Sequence, residues 1–229
     1  MQKLLYFALT LVLCLGTVSE SSLAKEIHVS RAGKDSGSGQ KNDPYLTINK
    51  AASVAQAGDK VIVHGGTYRE WVKPPRGGNG EDSRITYRAA LDEEVVIKGS
   101  ERISSWKQQE GGVWKAELPN SFFGDYNPYA LKVSGGWLEY GKWHHRGDVY
   151  LNGKAFLETQ TEEEVRKTVA NWFCRADDKT TTIVANFGES DPNKKIVEIN
   201  VRECLFMPVV NGLKYITIDG FRMMHAASN

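Results

Sequence analysis

A chain of 229 residues, 41% hydrophobic and 25% charged, has the composition of an ordinary globular protein and is long enough to bury a core. Lysine and arginine number 29 against 28 aspartates and glutamates, a formal net charge of +1. No single-sign run offers phosphates a patch, so a nucleic-acid partner is excluded. Six Trp, nine Tyr and eight Phe exclude intrinsic disorder.

The chain opens on Met1-Gln2-Lys3, a short positive start, followed by an apolar run over residues 4–16 and by Ser22-Leu23-Ala24. The run is too short to span a bilayer, which takes about 20 residues, and small residues at 22 and 24 suit a signal peptidase. Residues 1–24 are therefore expected to be a signal peptide cut after Ala24, leaving a periplasmic or secreted protein with no membrane attachment. Cys14 does not read as a lipoprotein cysteine, because Leu13 stands where a small residue is expected. Cys174 and Cys204 remain, either as one bridge or as two separate buried thiols. Neither sits in a CxxC pair, so neither zinc binding nor thioredoxin-like redox chemistry is expected.

From Glu26 a short alternating strand leads into a Gly/Ser/Asp-rich loop over residues 33–43 that lacks the spacing of a phosphate loop and reads as structural. Thr47 heads a helix with Ile48, Ala51, Ala52 and Ala55 on one face, expected to end at Gly58. Short β-branched strands follow at residues 61–63, 85–87, 95–97 and 215–218, bounded by Gly or Asp. None buries its faces alone, whereas stacked as rungs they do, the logic of a parallel β-helix. The Thr47 helix is expected to cover the open edge of the first rung.

Residues 99–204 have a different rhythm. Asn152-Gly153 between two alternating runs predicts a type I′ hairpin, Thr161 and Glu164 predict a capping box, and residues 180–187 and 196–202 read as further strands joined at Asp191-Pro192-Asn193. The expected fold is all-β: first rungs of a right-handed parallel β-helix with an N-terminal capping helix (25–98), an inserted antiparallel β-sandwich of Ig-like type (99–204), and resumption of the β-helix (205–229).

Asp43-Pro44-Tyr45-Leu46-Thr47-Ile48, Ala57-Gly58-Asp59 and His64 through Val72 resemble the opening of exported right-handed parallel β-helix proteins, the pectate-lyase-like group. Arg84 through Ala90, Val96 through Glu101, Asn120 through Pro128 and Gly147 through Gly153 narrow this: the chain from Glu26 onward resembles the family-120 glycoside hydrolases, β-xylosidases in which a β-sandwich interrupts a β-helix. The resemblance implies an N-terminal part of a retaining xylosidase. Family members are several times longer, and their catalytic Asp nucleophile and Glu acid/base lie on later rungs, so no residue here is expected to be catalytic.

An oligosaccharide is the expected partner. Its apolar C–H faces stack on aromatic rings while its hydroxyls meet polar groups, and Tyr126, Tyr129, Trp137, Tyr140, Trp143, His144 and His145 are crowded together after Asp125. The candidate binding residues are Trp137, Asp125, Tyr126, Trp143 and His144. Trp137 leads, because the resemblance implies an aromatic wall supplied by the inserted domain, and Asp125 divides between loop architecture and substrate rim. Asp219 before Gly220 reads as a turn former, and Glu162–Glu164 and Asp177-Asp178 as a solvated helix start and a turn. His144-His145 would point to opposite faces of a strand. No metal site and no cofactor are expected. Two alternatives stay open, a polysaccharide lyase on the same solenoid and a non-catalytic carbohydrate-binding protein, though the inserted sandwich counts against a lyase.

Overall fold

The computed structural model describes residues 24–135 and 143–227, so the expected signal peptide lies outside them except for Ala24. The described part is mostly β with few helices. In chain order the first elements are β1 (Glu26–Val29), α1 (Ile48–Val54), β2 (Lys60–Val63), β3 (Gly66–Tyr68), β4 (Ile85–Ala89) and β5 (Val95–Lys98). Next come β6 (Ser100–Arg102), β7 (Lys107–Gln108), β8 (Val113–Pro119), β9 (Val149–Leu151), β10 (Lys154–Ala155), β11 (Leu157–Glu158), α2 (Glu162–Lys167), β12 (Asn171–Ala176), β13 (Thr180–Asn186) and β14 (Val197–Asn200). The last are β15 (Ile216–Asp219) and β16 (Phe221–Met224).

Two parallel sheets, ordered β1-β2-β4-β15 and β3-β5-β16, hold the short β-branched strands. Each pass of the chain lays one strand in each sheet, β2 with β3, β4 with β5, β15 with β16. Strand-to-strand register is set by apolar residues that all face one interior. Val61 lies beside Tyr87 and Tyr68 beside Ile97, and with Val29, Val63 and Ile85 these side chains are fully buried. Such strands are too short to be stable singly, and the shared core is what holds them.

The helix begins where expected, with the Thr47 hydroxyl accepting from Lys50 N. Glu70 adds a second cap: its carboxylate accepts from the amides of Ile48 and Asn49 at 3.0 Å. The helix ends at Val54 rather than at Gly58. Asp59 is the reason: its buried carboxylate accepts from Gln56 N at 2.8 Å and Lys25 N at 2.9 Å, pulling the chain out of the helix early. The covering of β1 also differs from expectation. α1 supplies the apolar lid through Ile48, Ala51 and Ala52. The edge hydrogen bonds come from the preceding loop, His28 N to Gly39 O, Tyr45 N to His28 O and Ser30 N to Tyr45 O.

The second block is two sheets, β10-β9-β14-β6 and β11-β12-β13-β8-β7, antiparallel except for the β11–β12 pair. They share one apolar cluster that includes Val149, Trp172, Ile183 and Ile199, all fully buried. Asn152 (φ 50°) and Gly153 (φ 81°) form the expected hairpin turn between β9 and β10, and the Thr161–Glu164 capping box is formed in both directions. Cys174 and Cys204 are free thiols, the first buried in this cluster and the second half-buried near the other block.

This block departs from and returns to a single turn of the parallel part. Val72, four residues after β3, bridges in parallel to Phe206, so the segment following β5 resumes only at residue 206. The two ends of the excursion pair with each other, Ser100 opposite Asn200. At Gly99 a Cβ would stand 2.3 Å from the carbonyl oxygen of His225, and only glycine permits that approach.

An ionic cluster joins the blocks across this junction. Glu198 of β14, fully buried, accepts from Arg69 Nη2 at 2.5 Å and Lys98 Nζ at 2.8 Å. Ser100 Oγ lies 3.0 Å from His225 Nδ1, and the His225 ring stacks on Tyr150 at 3.7 Å. At the other side β15 and β16 are edge strands, with Ile218 and Met223 exposed. Among the described residues no helix is long and apolar enough to cross a membrane.

Candidate functional site

The junction leaves a cleft of about 410 Å³ lined from both sides: Asn49, Trp71 and Lys73 from the parallel block, Phe123, Asp125 and Tyr126 from the loop after β8, and Val201 to Glu203 after β14. Its floor is held by hydrogen bonds. Asn49 donates to the carbonyl of Trp71 at 2.8 Å and accepts from Lys73 N at 2.8 Å, fixing both residues against α1. The Lys73 ammonium sits 4.0 Å over the Trp71 ring, and the indole N–H donates to Met207 O at 3.3 Å. On the opposite wall, Tyr126 donates its hydroxyl to the Ala227 carbonyl. Burial raises the phenol's pKa, with Arg146 partly offsetting it. Arg202 pairs with Glu101 at 2.5 Å and Glu203 faces Arg146 at 3.5 Å.

An indole, a phenol, carboxylates and guanidinium and ammonium groups around one open cleft are the groups that bind a polyhydroxylated ring: aromatic faces for C–H surfaces, paired donors and acceptors for hydroxyls. A second depression of about 430 Å³ shares Trp71 and Lys73 and continues along residues 207–213, extending the open surface beyond the cleft.

Of the five residues expected to bind sugar, Asp125 and Tyr126 come together here. Trp143 and His144 lie elsewhere: Trp143 lines a groove with Glu158, Thr159 and Asn171 that shares no lining residue with the cleft, and His144 packs beside it. There the Trp143 and His144 rings stack at 3.8 Å. Trp137, like Tyr140, falls outside the described residues. Tyr129 is a core residue, fully buried edge-on against Trp172. Asp219 ends β15 at an exposed turn closed by Gly220, as expected.

The expectation that His144 and His145 diverge is overturned. Residues 143–146 are a turn and an isolated bridge rather than a strand. Both rings reach one carboxylate: His144 Nδ1 is 3.2 Å and His145 Nδ1 2.6 Å from Glu158. Trp71 and Lys73 were not singled out by sequence reasoning. The signal was present in the Glu70-Trp71-Val72-Lys73 run, where an aromatic and a lysine share one face two residues apart.

Comparison with known proteins places this geometry in context. The model of the glycoside hydrolase 120 insertion domain matches residues 103–171 and 164–199, the antiparallel block, and the model of a family of proteins of unknown function, DUF1565, matches residues 31–74. An uncharacterized protein of Bacillus subtilis, YwoF, is 34% identical over 81 residues, 35% of this chain and 17% of that protein. A solved structure of XylC in complex with xylose superposes with a TM-score of 0.84 at 49% identity, over 89% of this chain and 36% of that one. A structure described as a glycoside hydrolase shares the fold at 14% identity, with a TM-score of 0.55 over 89% of this chain and 51% of its own. The chain thus spans about a third of XylC's length. The antiparallel block thus matches the insertion domain of glycoside hydrolase family 120, and nearly all of the chain aligns with XylC at 49% identity.

Proposed function

We propose that this chain is the N-terminal part of an exported, retaining glycosidase of β-xylosidase type acting on xylo-oligosaccharides. The observation that carries the reading is 49% identity, over 89% of the chain, to a protein whose structure was solved with xylose. In this reading the parallel ladders are the first turns of a right-handed parallel β-helix, residues 25–98 and 205–229, and residues 99–204 are an Ig-like sandwich inserted into it. Residues 1–24 are the signal peptide, and the mature chain starts at Lys25 in the periplasm or outside the cell.

Retaining hydrolysis needs two carboxyl groups about 5–5.5 Å apart, one nucleophilic and one acidic. In this proposal that pair belongs to the polypeptide beyond this chain. This chain contributes the wall that orients the substrate: Trp71 and Tyr126 against sugar faces, Asp125 and Lys73 to hydroxyls, and Trp137, outside the described residues, as a further aromatic. Positioning of this kind raises the rate by holding the glycosidic bond in line with the carboxyl pair.

A chromogenic β-xyloside and an acidic polysaccharide, offered to the chain alone and to a longer polypeptide extended with family-120 sequence, test the reading. Hydrolysis of the xyloside by the longer form only, with no unsaturated products from the polysaccharide, is the expected result. Unsaturated products would replace it with the lyase reading. Exported material whose N-terminus is still Met1 would refute the leader.

A further inference from the structure

We propose that His145, Glu158 and Cys174 form a zinc site inside the antiparallel block, with His144 as its fourth ligand. The three first-named residues each offer a ligand atom, and those atoms lie within 4.8 Å of one another. Four-coordinate zinc holds nitrogen and oxygen at about 2.0–2.2 Å and sulfur at about 2.3 Å. Tetrahedral ligand atoms are then separated by roughly 3.3–3.8 Å, so the three must draw somewhat closer around an ion, and His144, outside that group but with Nδ1 3.2 Å from Glu158, would swing in to complete the shell.

The topology brings the ligands to one point. Glu158 lies beside Trp172 in the parallel β11–β12 pair, and Cys174 follows Trp172 by two residues, so the carboxylate and the thiol face the same interior. The histidines arrive from the side, on a segment tied down by Val133 N to His144 O and Arg146 N to Leu131 O. Both imidazoles already turn Nδ1 to Glu158.

The charge balance argues for a cation. The Glu158 side chain is only 6% exposed, and among the described residues its ionic partners are the two histidines alone, with no lysine or arginine. A carboxylate buried beside a thiol in an apolar cluster is costly unless a positive charge compensates it. One divalent ion with one carboxylate and one thiolate sums to zero, the balance a buried site favours. Burial, reinforced by Glu158, pushes the Cys174 thiol far up, so in the metal-free protein it is protonated. On binding, that proton leaves to solvent as the sulfur–metal bond forms, and the imidazoles coordinate in their neutral form. Thiolate and imidazole together select zinc over calcium or magnesium. Bound there, the ion would clamp residues 143–146 onto β11 and β12.

The test is titration of the full chain, stripped with a chelator, with cobalt(II) and then zinc. The expected result is one cobalt per chain, carrying the near-ultraviolet thiolate-to-cobalt charge-transfer band and the intense visible bands of four-coordinate cobalt. Zinc should displace it one for one and raise the melting temperature. Cys174→Ser should abolish the charge-transfer band and Cys204→Ser retain it. His145→Asn and Glu158→Gln, which leave the thiol in place, should each weaken binding by at least about tenfold. Folded chain that gives no charge-transfer band overturns the site. So does a band that survives Cys174→Ser, or affinity unchanged in both His145→Asn and Glu158→Gln.

Discussion

Substituting Glu198 by glutamine should be among the most damaging single changes in this chain. Its carboxylate is fully buried between Arg69 at 2.5 Å and Lys98 at 2.8 Å. Glutamine has the same shape but no charge, so it leaves a guanidinium and an ammonium together in a half-closed junction with nothing to neutralise them. Removing one partner of a buried pair costs about 3–5 kcal/mol, which for a protein of this size lowers the melting temperature by roughly 6–20 °C. Burial alone would raise the carboxyl's pKa, but the hydrogen bonds and charges of Lys98 and Arg69 outweigh it and hold it below the ordinary glutamate value. A lowered folded-state pKa contributes stability above the unfolded value, lost as pH falls through the folded one. The gap between wild type and Glu198→Gln should therefore be full at pH 7 and shrink in acid below the ordinary glutamate range. Urea titrations followed by tryptophan fluorescence across that pH range measure both features. A loss under about 1 kcal/mol at pH 7 would show that the cluster only breaks even against its desolvation and that other contacts join the blocks.

Asp148→Asn should stabilise the fold at neutral pH. Burial, with Glu158 nearby, lifts this carboxyl to about 6, so its contribution is fully present below pH ~4 and lost as pH rises through about 6. The amide keeps the acceptor for Tyr150, so a gain of roughly 1–3 kcal/mol at pH 7–8 that vanishes near pH 4 is expected in thermal melts. Thr161→Ala removes the α2 cap and should cost about 1 kcal/mol, read from the same melts. Trp71→Ala and Trp137→Ala, made in the longer polypeptide, should each raise KM for xylobiose by several-fold, about 1–2 kcal/mol of stacking. An unchanged KM in both would remove the aromatic wall from the proposal.

Legibility in the sequence followed the range of the interactions. The Asn152-Gly153 turn, the Thr161–Glu164 box and the Thr47 cap are settled by residues three or four apart, and each formed where the residues said. The end of α1 did not. It depends on Asp59 capturing the amides of Gln56 and Lys25, a tertiary contact that competes with helix continuation and leaves no periodic trace. Whether the cysteines met was likewise undecidable from spacing. They sit apart because Cys174 faces the core of the antiparallel block while Cys204 lies next to Leu205, which packs on the other core.

The site shows the same division. Crowding of aromatics after Asp125 suggested one sugar surface, yet Tyr126 lines the cleft while Trp143 lines a separate groove beside Glu158. What separates them is the route of the insertion. Because the block leaves the parallel part at Gly99 and rejoins at Phe206, above Val72, residues 49–73 are brought against 123–126 and 201–203. No sequence window contains all three groups. Any cleft at such a junction takes its walls from both blocks, and its width is set by the contacts that hold them together. Here those are Glu198 with Arg69 and Lys98 below and Tyr126 with Ala227 alongside. The residues that shape the cleft and those that line it are thus partly the same. Tyr126 does both, as one aromatic wall of the cleft and a tether between the blocks, which is why loss of its hydroxyl would alter the cleft itself and not merely one contact within it.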